Sequence, residues 1–65
     1  MTDLSLIILN YLQKESEIAL SLNSLEKKLN IKKSRIHGCL VELQARGFIE
    51  SFLFKSCRYY KIKEN

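Results

Sequence analysis

Sixty-five residues, 46% of them apolar, with two glycines and no proline, suffice for one folded domain over 1–65 and exclude both a second domain and a low-complexity chain. No apolar run reaches the roughly 20 residues of a membrane span, since Asn10, Gln13 and Lys14 interrupt the first, and Met1-Thr2-Asp3 lacks the basic start of a secretory signal, so a cytoplasmic protein is expected. The net charge of +4 gathers in two blocks, Lys27, Lys28, Lys32, Lys33 and Arg35 against Glu26, then Lys55, Arg58, Lys61 and Lys63 with no acid, which suggests an anionic partner met at two places. Leu4, Ile7, Ile8, Tyr11 and Leu12 recur at helical spacing after Thr2 or Asp3, either able to cap, and predict a first helix over about 3–15 with this stripe on the core. Leu6 and Leu9 widen the stripe, so the helix is expected to be covered on more than one side. Glu17-Ile18-Ala19-Leu20 is too short for a helix and reads as a connector with room for one short strand.

Ser21 then stands ahead of Leu22, Leu25 and Leu29, which share one face and predict a short second helix capped by the serine hydroxyl. Asn30 tolerates the left-handed conformation that ends a helix, and Ile31 can plug the angle to the next one. Ile36, Cys39, Leu40 and Leu43 predict a third helix over about 33–46, stopped by Gly47. Beyond it, Phe48, Ile49, Phe52, Leu53, Phe54, Tyr59, Tyr60 and Ile62 surround a polar Lys55-Ser56, as in a β-hairpin over 48–62. Alternation puts Ile49, Ser51 and Leu53 on one face, with Tyr60 and Ile62 as core partners near the base of the hairpin.

Cys39 and Cys57 stand 18 positions apart, and only His37 lies close to either, which is no spacing for a zinc site. Two reduced thiols are expected, one semi-buried and one exposed or packed on a strand. There is no glycine-rich phosphate loop, no pair of carboxylates on one face and no carboxylate to orient the single histidine. Neither catalysis nor a cofactor is expected.

The order helix, short strand, helix, helix, hairpin is that of a winged helix-turn-helix, an α+β fold of three helices and a C-terminal β-hairpin wing. In LSLNSLEKKLNIKKSRIHGCLVELQARGFIES, residues 20–51, Leu25, Leu29, Ile31, Lys33-Ser34, Ile36, Leu40, Leu43 and Gly47-Phe48-Ile49 fall without a gap on one known pattern. That pattern resembles the winged helix-turn-helix of prokaryotic transcription regulators, including the multiple-antibiotic-resistance (MarR) type. It covers about half the chain and implies a small regulator that binds double-stranded DNA. The sequence departs from it at Gly38, where the family usually carries a larger polar residue, often arginine. A Z-form nucleic-acid-binding domain has similar size and order, and Lys33 and Tyr60 sit near its lysine and tryptophan. His37 and Val41 replace its asparagine and tyrosine, so that signature is missing.

An α-helix fits the major groove and reaches phosphates and base edges from its start and outward face. With Ile36, Leu40 and Leu43 inward, Lys33, Ser34, Arg35 and His37 point outward, with Gly38 beside them. Lys33 and Ser34 are expected at phosphates next to the helix N-terminus, Arg35 at a guanine through its forked donors, and His37 at a base edge. Lys27, Lys28 and Lys32 would flank the backbone, with Lys27 and Lys28 more simply a solvated helix face. In the wing, Lys55 and Arg58 would reach a neighbouring groove or phosphate, while Lys61 and Lys63 lie nearer the base. Phe52, Leu53 and Phe54 cannot all be buried by three helices, so Phe52 or Phe54, with Leu6 or Leu9, is expected to contact a partner or a second copy. The plainer expectation is that Phe52 packs on Tyr59 across the hairpin. A winged-helix adaptor that binds protein through this apolar hairpin is the alternative function.

Overall fold

Thr2 and Ser21 begin the first two helices by the same chemistry. The computed structural model describes residues 2–63. Helix α1 spans Asp3–Lys14, and the Thr2 hydroxyl accepts from the Ser5 N–H at 3.2 Å. Strand β1 is only Leu20–Ser21, after which α2 spans Leu22–Leu29 with the Ser21 hydroxyl accepting from the Ser24 N–H, also at 3.2 Å. Each cap satisfies one of the backbone donors that a helix start leaves unpaired. Asn30 closes α2 in the left-handed region, φ 57°, where its short polar side chain is tolerated.

Helix α3 spans Lys33–Ala45 and ends on Gly47 at φ 82°. There the Gly47 N–H donates to the Gln44 carbonyl and the Phe48 N–H to the Leu43 carbonyl, each at 3.0 Å, the paired closure that a left-handed glycine permits. Strands β2, Ile49–Phe54, and β3, Cys57–Ile62, follow as a hairpin whose two-residue loop has positive φ at both Lys55 (51°) and Ser56 (66°). That pair of angles matches the twist of the flanking strands. The sheet is antiparallel with order β1-β3-β2, Leu20 opposite Tyr60, and Ile49 opposite Ile62.

The core is built around α3, which packs on α1, α2 and β2. Ile36, Leu40 and Leu43 of α3 meet Ile8 and Leu12 of α1, Leu25 of α2 and Ile49 of β2, all buried, with Leu9, Leu20 and Tyr60 completing the cluster. The turn residue Ile31 packs against this core. With α2 and α3 as the helix-turn-helix and β2–β3 as the wing, the fold is a winged helix-turn-helix. No helix among the described residues is long and apolar enough to cross a membrane.

Several expectations are corrected. Ile7 is 51% exposed rather than in the core, and Ser5 is fully buried. The inward stripe of α1 is Ser5, Ile8, Leu9 and Leu12, and at 3.6 residues per turn Ile7 falls on its far side. A small residue at position 5 lets α1 approach α3 closely, with Thr2 Oγ1 3.9 Å from Cys39 Sγ. Leu9, expected at a partner contact, is buried and drops out, whereas Leu6 stays exposed. The short strand, Leu20–Ser21, begins at the last residue of the expected connector and runs one residue past it, pairing with Tyr60 and Tyr59 of β3. Helices α1 and α3 each stop one residue earlier than expected, at Lys14 and Ala45. Cys39 is half-buried, Cys57 is exposed, and both are free thiols.

Candidate nucleic-acid interface

Unlike α1 and α2, helix α3 starts without a side-chain cap. Lys32 occupies the cap position and its side chain makes no capping bond, while its carbonyl accepts from the Arg35 and Ile36 N–H groups at 3.1 Å each. Among the described residues the Lys33 and Ser34 N–H groups have no hydrogen-bond partner. The first turn holds no acid, and Lys32, Lys33 and Arg35 add full charges to the positive end of the helix dipole. That arrangement disfavours the isolated helix and favours one that receives an anion.

The wing meets this helix start across a surface groove. Lys33 lines it with Ser21, Leu22 and Asn23 from the start of α2, and with Arg58 and its neighbours on β3. Lys33 Nζ lies 4.0 Å from Glu26 Oε1, a long pair between half-exposed groups that leaves the ammonium available. Arg58 is held more firmly. Its Nη1 donates to Ser51 Oγ at 3.1 Å, and Ser51 Oγ donates to Gln44 Oε1 at 3.1 Å, which ties the wing guanidinium to the C-terminal half of α3. Asn23, Ser51 and Gln44 were not among the sequence candidates. The signal for Ser51 was a polar residue on the inward-facing stripe of β2.

The remaining candidates divide between the two flanks of α3. Opposite the Ile36–Leu40–Leu43 seam lie Ser34, Gly38, Val41 and Ala45, an outward stripe with no charge and no long side chain. Lys33, His37 and Gln44 flank it on the side of the wing. Arg35 and Glu42 flank it on the side of α1, where with Ser34, Gly38, Asp3 and Thr2 they border a second depression. Asp3 and Glu42 share that depression with Arg35, and Glu42 Oε1 lies 3.8 Å from the Arg46 Nε. The structure therefore brings Lys33 together with Arg58 and sets Arg35 apart from both.

Lys28 and Lys32 are exposed on either side of the turn, and Lys55 sits at the wing tip with its Nζ 5.4 Å from the centre of the Phe54 ring. On the outer face of the wing Phe52 stacks on Tyr59 at 5.9 Å and Phe54 meets the same ring edge-on at 6.4 Å. The expected Phe52–Tyr59 packing is thus present, and it does not bury the wing. Phe52 is 42%, Phe54 55% and Leu53 65% exposed.

No protein-family model matches the chain, and no curated protein matches it in sequence. Among solved structures the chain is similar to one from a study of the DNA recognition and protein interaction domains of HOP2 and their homologous DNA pairing properties. The two share 24% identity over 91% of this chain and 97% of that one, with a TM-score of 0.76. This similarity places the present chain in the winged-helix architecture already evident from its own elements.

Proposed function

We propose that the chain binds double-stranded DNA as a small cytoplasmic transcriptional regulator without catalytic activity or cofactor, with α3 in the major groove and the hairpin as wing. The observation that carries this reading is the open, acid-free start of α3, where two backbone donors are unpaired and Lys33 shares a groove with Arg58. A duplex presents phosphates to such a site at a regular spacing. The resemblance to MarR-type regulators over residues 20–51 supports it, as does the likeness to a chain from work on the DNA recognition and protein interaction domains of HOP2. The outward stripe of Ser34, Gly38 and Val41 has no long side chain to hold the helix off the groove floor. Arg35 and His37, one on each flank, reach base edges, while Lys28, Lys32, Lys33, Ser34, Lys55 and Arg58 contact the backbone.

A mobility-shift titration tests this. With about six phosphates neutralised, affinity falls roughly a thousandfold between 50 and 200 mM salt. Lys33→Ala and Arg58→Ala each weaken binding on every sequence and reduce the salt slope by about one, whereas Arg35→Ala relaxes preference at one base pair by about 1–3 kcal/mol. Absence of binding to any duplex at low salt would overturn the reading.

The exposed Phe52, Leu53 and Phe54 favour a second reading, an adaptor that engages a protein through the wing. Replacing Phe52 and Phe54 with serine then abolishes function while Arg35→Ala leaves it intact, and the reverse result rejects it.

A further inference from the structure

The wing ends in an open sheet edge. In the order β1-β3-β2 strand β2 has a neighbour on one side only, and its pairing with β3 determines which backbone groups face outward. The two-residue loop makes Phe54 and Cys57 a hydrogen-bonded pair, and alternation makes Phe52–Tyr59 and Glu50–Lys61 the next ones. The N–H and C=O groups of Ile49, Ser51 and Leu53 therefore point away from β3, and none has a backbone partner elsewhere among the described residues. Edge strands of soluble proteins are usually blunted by charge, proline or a bulge. This one, Ile49-Glu50-Ser51-Phe52-Leu53-Phe54, has a single charge, no proline and no irregularity in its register.

We infer that β2 pairs antiparallel with β2 of a second copy of this chain, with the two-fold axis at Phe52, so that the two sheets join into one. This rests on reading the apolar wing as a partner contact and is independent of DNA binding. Self-pairing about an axis normal to the sheet sets residues of the same face opposite one another, so the axis falls at a single residue. Centred on Phe52, each Ser51 opposes the other copy's Leu53, and both pairs exchange their free backbone hydrogen bonds. The two Phe52 residues then form the close, non-hydrogen-bonded pair on the axis, beside Tyr59. The same register sets Glu50 opposite the other copy's Phe54, the ring over which Lys55 Nζ lies at 5.4 Å. Glu50 makes no ion pair with any described residue in its own chain. The symmetric contact thus joins Glu50 to Lys55 twice, and this charge complementarity selects a second copy over a merely apolar occupant.

Light scattering over a concentration series should show the 7.6 kDa mass doubling. Glu50→Lys returns the mass to one chain, and combining it with Lys55→Glu restores the doubling. Single cysteines placed in a Cys39→Ala, Cys57→Ser background test the register. Opposed Cα atoms at a non-hydrogen-bonded pair lie about 4.5 Å apart, within the span of a disulfide. Phe52→Cys therefore yields a covalent dimer on mild oxidation, and Ser51→Cys and Leu53→Cys do not. A single-chain mass throughout, with or without capture of some other protein, overturns the proposal. So does a dimer indifferent to the charge swap, or cross-linking strongest at 51 or 53 or equal at all three. Circular dichroism on each variant separates loss of pairing from loss of fold, and a failure to bind DNA leaves all these outcomes unchanged.

Discussion

Lys32 is the residue at which stability and binding pull apart most plainly. Thr2 and Ser21 show what a cap hydroxyl does in this fold, and at the equivalent point of α3 the chain carries a cation that caps nothing. Lys32→Asp supplies a side-chain acceptor and a favourable charge at the dipole, so it should raise stability by about 1 kcal/mol. It should also weaken duplex binding, and thermal melts alongside a binding titration check both halves. Gly38 makes the same point six residues later. A methyl group there meets nothing within 4 Å, so Gly38→Ala should stabilise α3 by about 1 kcal/mol. If the helix backbone sits against the groove floor at this point, affinity falls as the melting temperature rises.

At the scale of elements, the caps, the turn and the hairpin are the parts most legible in the sequence. Ser21 before a leucine stripe, Asn30 after it and Gly47 after the next are local signals, and each residue occupies the conformation its chemistry favours. The hairpin loop is the exception, because lysine and serine occupy two left-handed positions that asparagine and glycine would fill with less strain. Ser56→Gly removes that strain at one of them and should stabilise the hairpin by about 1 kcal/mol. It leaves Lys55 and Arg58 in place, so duplex affinity should not change, and denaturant titration with a parallel binding measurement tests the pair of outcomes.

For the whole molecule, one core holds α1, α2 and β2 to α3, and β3 joins β1 and β2 to the same cluster. Leu40 is fully buried at its centre, and truncation to alanine typically costs about 2–5 kcal/mol, a large share of what a domain this small possesses. Leu40→Ala should lower the melting temperature by roughly 10 °C or more, or abolish a cooperative transition. Its exposed neighbour Val41→Ala should stay within about 0.5 kcal/mol of the parent.

The period of its apolar residues and the chemistry of its caps determined, from sequence alone, that this chain forms three helices and a hairpin in winged-helix order. These are interactions between residues a few positions apart. Tertiary packing decided the rest: that Ser5 and not Ile7 turns inward, that Lys33 shares a groove with Arg58 while Arg35 faces α1, and that Ser51 and Gln44 hold the wing arginine. Those outcomes depend on how one helix is rotated against another and where a strand ends beside it. Such rotations are set by the volume and shape of side chains far apart in the chain, which periodicity does not encode.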